Sequence, residues 1–529
     1  MSAAAEPAPA RGPARTPKQA RLARTGLLAA AFTVSACGLV YELALITLGS
    51  YLVGNTATQA AIVLSVMVFA MGLGALGAKP LQRRPALAFV AVELALAFLG
   101  GFSVMILYAA FAFTSLYSLP LVAVAFLIGL LVGAEIPLLM ELLQRIRKQS
   151  AGAAVADLNA ADYLGGLIGG LAFPFLLLPM LGQIRGALLV GAVNAVAGVV
   201  LVFFLFRSEL SKTSKQLLSL AAGIMAVLLA AAFVYTGRFE TTARQALYAD
   251  PIVYSEDSQY QQVVMTESIS PFGTSDLRLY LNGDLQFSSV DEYRYHEALV
   301  HPVMDGPRGD VLVLGGGDGL GVREILRYPD VETVTLVDLD EAVTDLARHF
   351  DDLVELNGDA LDDPRVRVVN EDAFTWLREH PAAYDVIVVD MPDPDATETA
   401  KLYSVEFYAL AGAHLNASGR MVVQGGSPYF APKTYWTIAA TLEEAGYTPT
   451  SYQVSVPSFG DWGFHAVRAS GSAPELSLDP AAGPFASLTP ELLEAAQVFP
   501  PDRAPTAMEP STLMHPVILE LVESEWRDY

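Results

Sequence analysis

The chain has 529 residues, room for two or three domains, and 53% of them are hydrophobic. Its net charge of −24, from 32 Lys+Arg against 56 Asp+Glu, argues against nucleic acid as a partner, because phosphates would be repelled. The single cysteine, Cys37, excludes a disulfide within the chain, and the seven histidines lack ligand spacing, so no metal site is predicted. The charge is unevenly divided: residues 1–236 are net +7 and residues 237–529 net −31. The first region reads as apolar with basic loops. The second reads as an acidic globular region that suits a polycationic ligand, although acidity serves solubility equally well.

Residues 1–25, rich in Ala, Pro and Arg, read as a disordered basic tail. The apolar stretch behind them is too long for a cleaved signal. Seven apolar segments follow, at roughly 26–49, 57–78, 86–109, 119–143, 161–181, 184–206 and 216–236. Each approaches the ~20 residues that a helix needs to cross hydrocarbon, so 26–236 is expected to be a multi-span domain in a lipid bilayer. Pro174 and Pro179 make the fifth segment the one open to being split or re-entrant. The basic groups (Arg11 to Arg24; Lys79, Arg83, Arg84; Arg145, Arg147, Lys148; Arg207, Lys212, Lys215) alternate with loops nearly free of charge, which puts the N-terminus in the cytoplasm. Seven spans then place the acidic region outside. That conflicts with the cytoplasmic placement expected from the substrates discussed below. Glu42, Glu93 and Glu135 fall inside spans, where carboxylates are costly: they mark a cation path or sensing site, or else pair with polar groups between helices.

A linker is expected at 237–250, then a β-hairpin subdomain at 251–295 in which Asn282-Gly283 marks a tight turn. From residue 296 to 470 strands and helices alternate, with strands near 311–314, 333–337, 366–369, 385–389, 419–424, 450–456 and 463–468. This is the pattern of a doubly wound α/β, Rossmann-like sheet ending antiparallel. Residues 471–529 are expected to form a helical tail folding back on the domain. The first of these strands runs into Gly315-Gly316-Gly317-Asp318-Gly319, and the second ends on Asp338. Glycines let the backbone approach a nucleoside, and a carboxylate after the second strand can hold a ribose diol. Asp372 follows the third strand, and Asp390 with Asp393 the fourth. Each acid alone reads as a helix cap, whereas five at one crevice form a cation-seeking site.

Further motifs carry a family resemblance over about residues 252–470. They are Tyr260-Gln261, Leu281-Asn282-Gly283-Asp284-Leu285-Gln286, Asp291-Glu292 with Tyr295-His296-Glu297, the glycine run with Arg323-Glu324, Asp363-Pro364-Arg365, and Asp390-Met391-Pro392-Asp393-Pro394. With these the chain resembles the spermidine synthase (polyamine aminopropyltransferase) family, in the subset fused to an N-terminal multi-span membrane domain. The resemblance implies a class I methyltransferase-like fold and transfer of the aminopropyl group of decarboxylated S-adenosylmethionine, a co-substrate rather than a cofactor, to a diamine such as putrescine. It implies that Gln261, Gly315, Gly317, Asp318, Asp338 and Asp372 hold the nucleoside, with Asp338 on the ribose, Asp372 near the adenine and Asp318 on the aminopropyl ammonium. Asp390 is then the catalytic carboxylate, and Tyr295, His296, Asp393 and Gln424 surround the acceptor. Asp338 replaces the usual Glu, Met391-Pro392 the usual small hydroxyl residues, and Phe459 an acceptor-binding Tyr, so the acceptor is less defined than the reaction.

Two other functions compete. One is a methyltransferase using S-adenosylmethionine itself, because the glycine loop and ribose acid are shared. The other is a polyamine transporter or sensor with the globular region as its binding module. A homo-oligomer is also expected.

Overall fold

A computed structural model of the chain describes residues 16–53, 56–114, 117–146, 151–269, 273–470 and 472–526. The chain divides into two compact units, Met1–Ala249 and Asp250–Tyr529. Of the expected disordered tail, residues 1–15 lie outside the described residues. The rest is helical from Pro17, a correction with a local cause. Thr16 Oγ1 accepts the Gln19 N–H at 3.3 Å while Gln19 Oε1 accepts the Thr16 N–H at 3.0 Å. This reciprocal cap starts a run of Ala, Leu and Arg, all good helix formers.

The first unit consists of α1 (Pro17–Val53), α2 (Thr56–Gly77), α3 (Pro85–Thr114), α4 (Ser118–Ile146), α5 (Ala151–Ala172), α6 (Leu178–Leu205) and α7 (Lys212–Gln245). Among the described residues, six helices are long and apolar enough to cross a membrane, where the sequence led us to expect seven. The difference lies in the 54-residue run Gly152–Leu205, in which a π-turn at Phe173–Leu177 carries the chain past Pro174 from α5 into α6. A straight helix of that length would reach about 80 Å, more than twice the hydrocarbon thickness. The run instead breaks at Gly182 (φ 70°, ψ 178°). Before the break, Gly165 and Gly169 press on the backbone of Phe32 and Ala36, so α5 runs parallel to α1. Beyond it, Cys37 Sγ lies 3.8 Å from the Val190 carbonyl and Leu205 touches Gly26, so α6 runs antiparallel. The run is one hairpin with two arms on α1. The linker expected at 237–250 is likewise helical as far as Gln245. Beyond Gly237 the sequence holds no further helix breaker before Pro251, and Phe239 packs edge-on against Tyr108 of α3 at 6.3 Å.

The second unit opens with an antiparallel sheet of β1 (Ile252–Asp257), β2 (Gln262–Ile269), β3 (Ser275–Leu281) and β4 (Asp284–Ser288), paired in that order. This is a four-stranded meander, in the stretch where a β-hairpin subdomain was expected. Asn282 (φ 53°) and Gly283 (φ 97°) both adopt positive φ between β3 and β4, as a type I′ turn requires. Next come α8 (Glu292–Val300), β5 (Asp310–Gly315), α9 (Leu320–Ile325), β6 (Thr333–Asp338), α10 (Glu341–His349), α11 (Asp351–Asn357), β7 (Val366–Asn370), α12 (Ala373–Glu379), β8 (Tyr384–Asp390), α13 (Thr397–Ala400), α14 (Val405–Gly412), β9 (Leu415–Gln424), α15 (Pro432–Glu444), β10 (Thr450–Val456) and β11 (Gly460–Arg468). The sheet order is β10-β11-β9-β8-β5-β6-β7, parallel from β7 through β9 and antiparallel at β11 and β10. Its central strands β5, β8 and β9 are buried on both faces. Val311, Val313, Val386, Val388 and Val422 pack into one core layer, and Leu312, Leu314, Ile387, Val389, Met421 and Val423 into the other. Such continuous apolar runs belong to a parallel sheet covered by helices on both sides.

Residues 471–529 are less helical than expected, with α16 (Pro490–Ala495) and α17 (Val517–Trp526) joined by irregular chain. The tail does return to the domain. Glu525 accepts the Lys433 and Thr434 N–H groups, each at 2.9 Å, and so caps the start of α15.

Ile387 lies fully buried on β8. Truncating it to alanine is expected to cost about 2–5 kcal/mol. All four tryptophans lie in the second unit, so their fluorescence during urea unfolding reports that unit, with an earlier midpoint for Ile387→Ala.

Candidate active site

The parallel sheet changes direction between β5 and β8, and ligands of doubly wound folds bind beyond the carboxyl ends of strands at this point. Here Gly315 takes φ 82°, and a Cβ on it would fall 2.1 Å from the Asp390 carbonyl oxygen. Only glycine lets β5 turn this close to β8. The next two residues face different acids. A Cβ at 316 would stand 3.0 Å from Asp390 Oδ2, and one at 317 would stand 2.6 Å from Asp338 Oδ2. The glycine loop thus runs between two carboxylates.

On one side, Asp338 Oδ2 accepts the Gly317 N–H at 3.0 Å and Oδ1 the Asp340 N–H at 2.9 Å. Burial nevertheless pushes its carboxyl up to about 6, with Asp340 and Asp318 adding to the rise and the two N–H groups opposing it. Asp340 in turn accepts Ser258 Oγ at 2.7 Å. The same Oγ accepts the Gln261 N–H at 3.0 Å. This bridge carries Gln261, just before β2, to the Asp338 side of the loop.

On the other side, Asp390 Oδ1 accepts the Tyr295 hydroxyl at 2.5 Å. Burial raises the Asp390 carboxyl to about 6; His296 and the Tyr295 hydroxyl hold it down, while Asp318 works upward. The Tyr295 ring stands among Phe464, Phe459 and Trp462, with centroids at 5.3, 6.2 and 6.5 Å. Asp393 is also raised to about 6, by burial and then Asp395, against the Gln424 amide. Gln424 Nε2 reaches Asp393 Oδ1 at 3.3 Å and the Met391 carbonyl at 2.7 Å, while its Oε1 accepts Gly426 N–H at 2.9 Å and Trp462 Nε1–H at 3.2 Å. Gln424 is therefore engaged by protein at both ends and acts on the crevice through Asp393.

Asp318 Oδ1 accepts the Leu320 N–H at 2.8 Å; burial raises its carboxyl, and His296 opposes the rise. His296 Nδ1 lies 2.8 Å from Glu292 Oε2, and both Glu292 oxygens receive Arg323 at 2.9 Å. Burial alone would lower the His296 pKa, but Glu292, and then Asp318 and Asp390, outweigh it and raise it. The histidine is thus favoured as a cation between two acids, its orientation set by the Arg323–Glu292 pair.

Asp372 departs from this pattern. It caps α12, with Oδ1 accepting Thr375 N–H at 2.9 Å, and its Oδ2 pairs with Lys401 Nζ at 2.6 Å. Partial burial would raise its carboxyl, yet Lys401 and Thr375 hold it below the usual carboxylate range. Of the five acids singled out in the sequence, it is the one already ion-paired. Asp284, by contrast, was missed as a site acid although it stands inside the quoted Leu281–Gln286 motif. It keeps contact with solvent, yet surrounding protein and then Asp395 and Asp393 push it up to about 7. Nothing in the sequence pattern points to Lys401.

Comparison with known proteins places the chain in a family. Residues 292–480 match the spermine/spermidine synthase domain. A protein called polyamine aminopropyltransferase 1 from Streptomyces coelicolor is 57% identical over 511 residues, covering 96% of each chain. The chain belongs to the polyamine aminopropyltransferase family. The polyamine aminopropyltransferase of Mycobacterium tuberculosis is 48% identical over 517 residues, 95% of this chain and 97% of that one. A crystal structure of spermidine synthase in complex with the transition state analogue AdoDATO covers 53% of this chain and 89% of its own, at 22% identity and a TM-score of 0.39. The likeness to the aminopropyltransferases of these two bacteria extends through the helical unit as well as the α/β unit.

Tyr295 donates to the ionised form of Asp390 and so keeps it available near neutral pH. This carboxylate loses its charge as pH falls through its own pKa, here about 6. Tyr295→Phe removes a hydrogen bond to a charged group, typically about 1.5–3 kcal/mol, and is expected to move the acid limb of the aminopropyltransferase pH–rate profile upward by about 1–2 units. An unmoved limb in Tyr295→Phe contradicts the assignment.

Proposed function

We propose that the second unit transfers the aminopropyl group of decarboxylated S-adenosylmethionine to a diamine such as putrescine, giving spermidine and methylthioadenosine. The observation that carries this reading is the glycine loop held between Asp338 and Asp390, with Tyr295 on the far side of Asp390. In it, Asp338 takes the ribose diol with the lone pairs its backbone donors leave open, and Gln261, Gly315 and Gly317 shape the nucleoside wall. Asp372 flanks the adenine as the Lys401-paired cap of α12. Asp318 meets the ammonium of the aminopropyl arm. The acceptor lies along Tyr295 and His296, its amines held by Asp390 and by Asp393, which Gln424 positions.

The chemistry is a single displacement. The acceptor nitrogen attacks the carbon next to the sulfonium, the carbon–sulfur bond breaks, and its electron pair stays on sulfur in methylthioadenosine. The attacking amine gives its proton to Asp390, within hydrogen-bond reach. Two cations brought together repel, and the raised pKa values of Asp318, Asp390 and Asp393, due first to burial and then to neighbouring acids, record the converse cost of holding these acids ionised without them. Binding relieves both. Most of the remaining acceleration comes from alignment of nitrogen, carbon and sulfur.

The helical unit is proposed as a multi-pass membrane anchor, on the support of its six long apolar helices. Substrates made in the cytoplasm favour a cytoplasmic catalytic unit. The basic loops, taken with the α5–α6 hairpin, favour the opposite face.

Asp390→Asn keeps the shape of the base but not its basicity. It is expected to lower product formation by about 10²–10⁴-fold while methylthioadenosine still binds, with products identified by mass against a panel of diamines and triamines. Full activity in this variant excludes Asp390 as the base.

A further inference from the structure

The helical unit encloses a second group of acids. Glu93 of α3 is fully buried and Glu135 of α4 is 4% exposed. Neither oxygen of Glu93, nor Glu135 Oε1, has a hydrogen-bond partner among the described residues. Two neutral groups beside them are also unpartnered, the Tyr41 hydroxyl of α1 and Asn194 Oδ1 of α6, on residues 0% and 1% exposed.

Contacts between helices bring these groups together. Asn194 Nδ2 donates to the Glu93 carbonyl at 3.3 Å, and a Cβ on Gly198 would fall 2.6 Å from Glu93 Cβ. The Tyr41 ring presses on Gly100, two helical turns from Glu93, and Gly38 touches Val132, one turn from Glu135. Cys37 and Tyr41 both lie within electrostatic reach of the two glutamates, and Glu135 within reach of Glu93 and of Asp162 on α5. Among the described residues, no Lys, Arg or His is one of the groups that act on either acid.

We propose that Glu93 and Glu135 form a proton-binding site inside the helical unit, both carrying a proton in this closed packing. Two ionised carboxylates without a cation are untenable in an apolar interior. The orphaned oxygens touch almost no space that a water could occupy, so neither a hydrated ion nor an alkylammonium fits. Nor does any grouping of three His, Cys, Asp or Glu among the described residues suit a metal ion. Two protons balance the site. The protonated carboxyls and Tyr41 then supply three O–H donors, equal in number to the three acceptors in the two carboxyl C=O groups and Asn194 Oδ1. Because the oxygens are sealed, proton exchange requires α3 to part from α1 and α6. Proton uptake is thereby tied to the opening of the bundle, an activity separate from amine transfer.

The test is infrared difference spectroscopy of the full chain in lipid nanodiscs, at mildly alkaline pH where the crevice acids are ionised. The site predicts a protonated-carboxyl C=O band that weakens in Glu93→Gln and in Glu135→Gln and persists in Glu42→Gln, the half-buried neighbour on α1. Glutamine copies a protonated glutamic acid in size and keeps a donor, so both variants should also retain the wild-type thermal midpoint. Absence of the band from the wild type, equal bands in all three variants, or a band abolished by adding putrescine would overturn the proposal, the last by revealing a bound ammonium. A marked loss of thermal stability in both glutamine variants would overturn it as well.

Discussion

Crowding of carboxylates at the mouth of a sheet is the constraint around which the catalytic unit is built. Asp318, Asp338, Asp390 and Asp393 follow three neighbouring strands, and burial raises the pKa of each. Left to themselves such groups would protonate or push the loops apart. Backbone N–H groups from the glycine loop and the start of α10 hold Asp338, Tyr295 holds Asp390, and Gln424 holds Asp393. Behind them, the β5–β8 core fixes how far each loop can retreat. The site is thereby stable enough to exist empty and strained enough to favour cations, which is the condition for binding a sulfonium next to an amine.

His296 refines this arrangement. Glu292, and then Asp318 and Asp390, favour its protonated form against the effect of burial, and Arg323 pairs with Glu292 beside it. The helical unit shows what happens without such donors. Among the described residues, no cation acts on Glu93 and neither of its carboxyl oxygens finds a donor within hydrogen-bond distance, where the crevice acids have such partners.

The strands of the α/β unit were legible because a parallel sheet buried on both faces leaves continuous Val, Leu and Ile runs, as in 311–314 and 386–389. The acids at the strand ends were legible for a related reason: the fold dictates where ligands meet the sheet. What each acid contacts was not. Asp372 and Asp390 look alike in sequence, but only Asp372 finds a lysine, 29 residues further along the chain. Helix irregularities were legible only in part. Pro174 and Pro179 suggested an interruption of the fifth span, but a π-turn absorbs the first, and the break at Gly182 falls in the gap expected between the segments 161–181 and 184–206. The helix through Gln245 and the reciprocal cap at Thr16 depend on contacts and hydrogen bonds that composition alone does not weigh.

The central claim is that an acid-walled crevice selects a cationic nucleoside with no carboxylate of its own. Calorimetric dissociation constants of the intact protein for decarboxylated S-adenosylmethionine and for S-adenosylmethionine itself test it most directly. Repulsion of a second carboxylate by Asp318 predicts a preference of at least about tenfold for the decarboxylated nucleoside, about 1.4 kcal/mol, that narrows in Asp318→Asn. Equal or tighter binding of S-adenosylmethionine would contradict the account and turn the crevice toward methyl transfer.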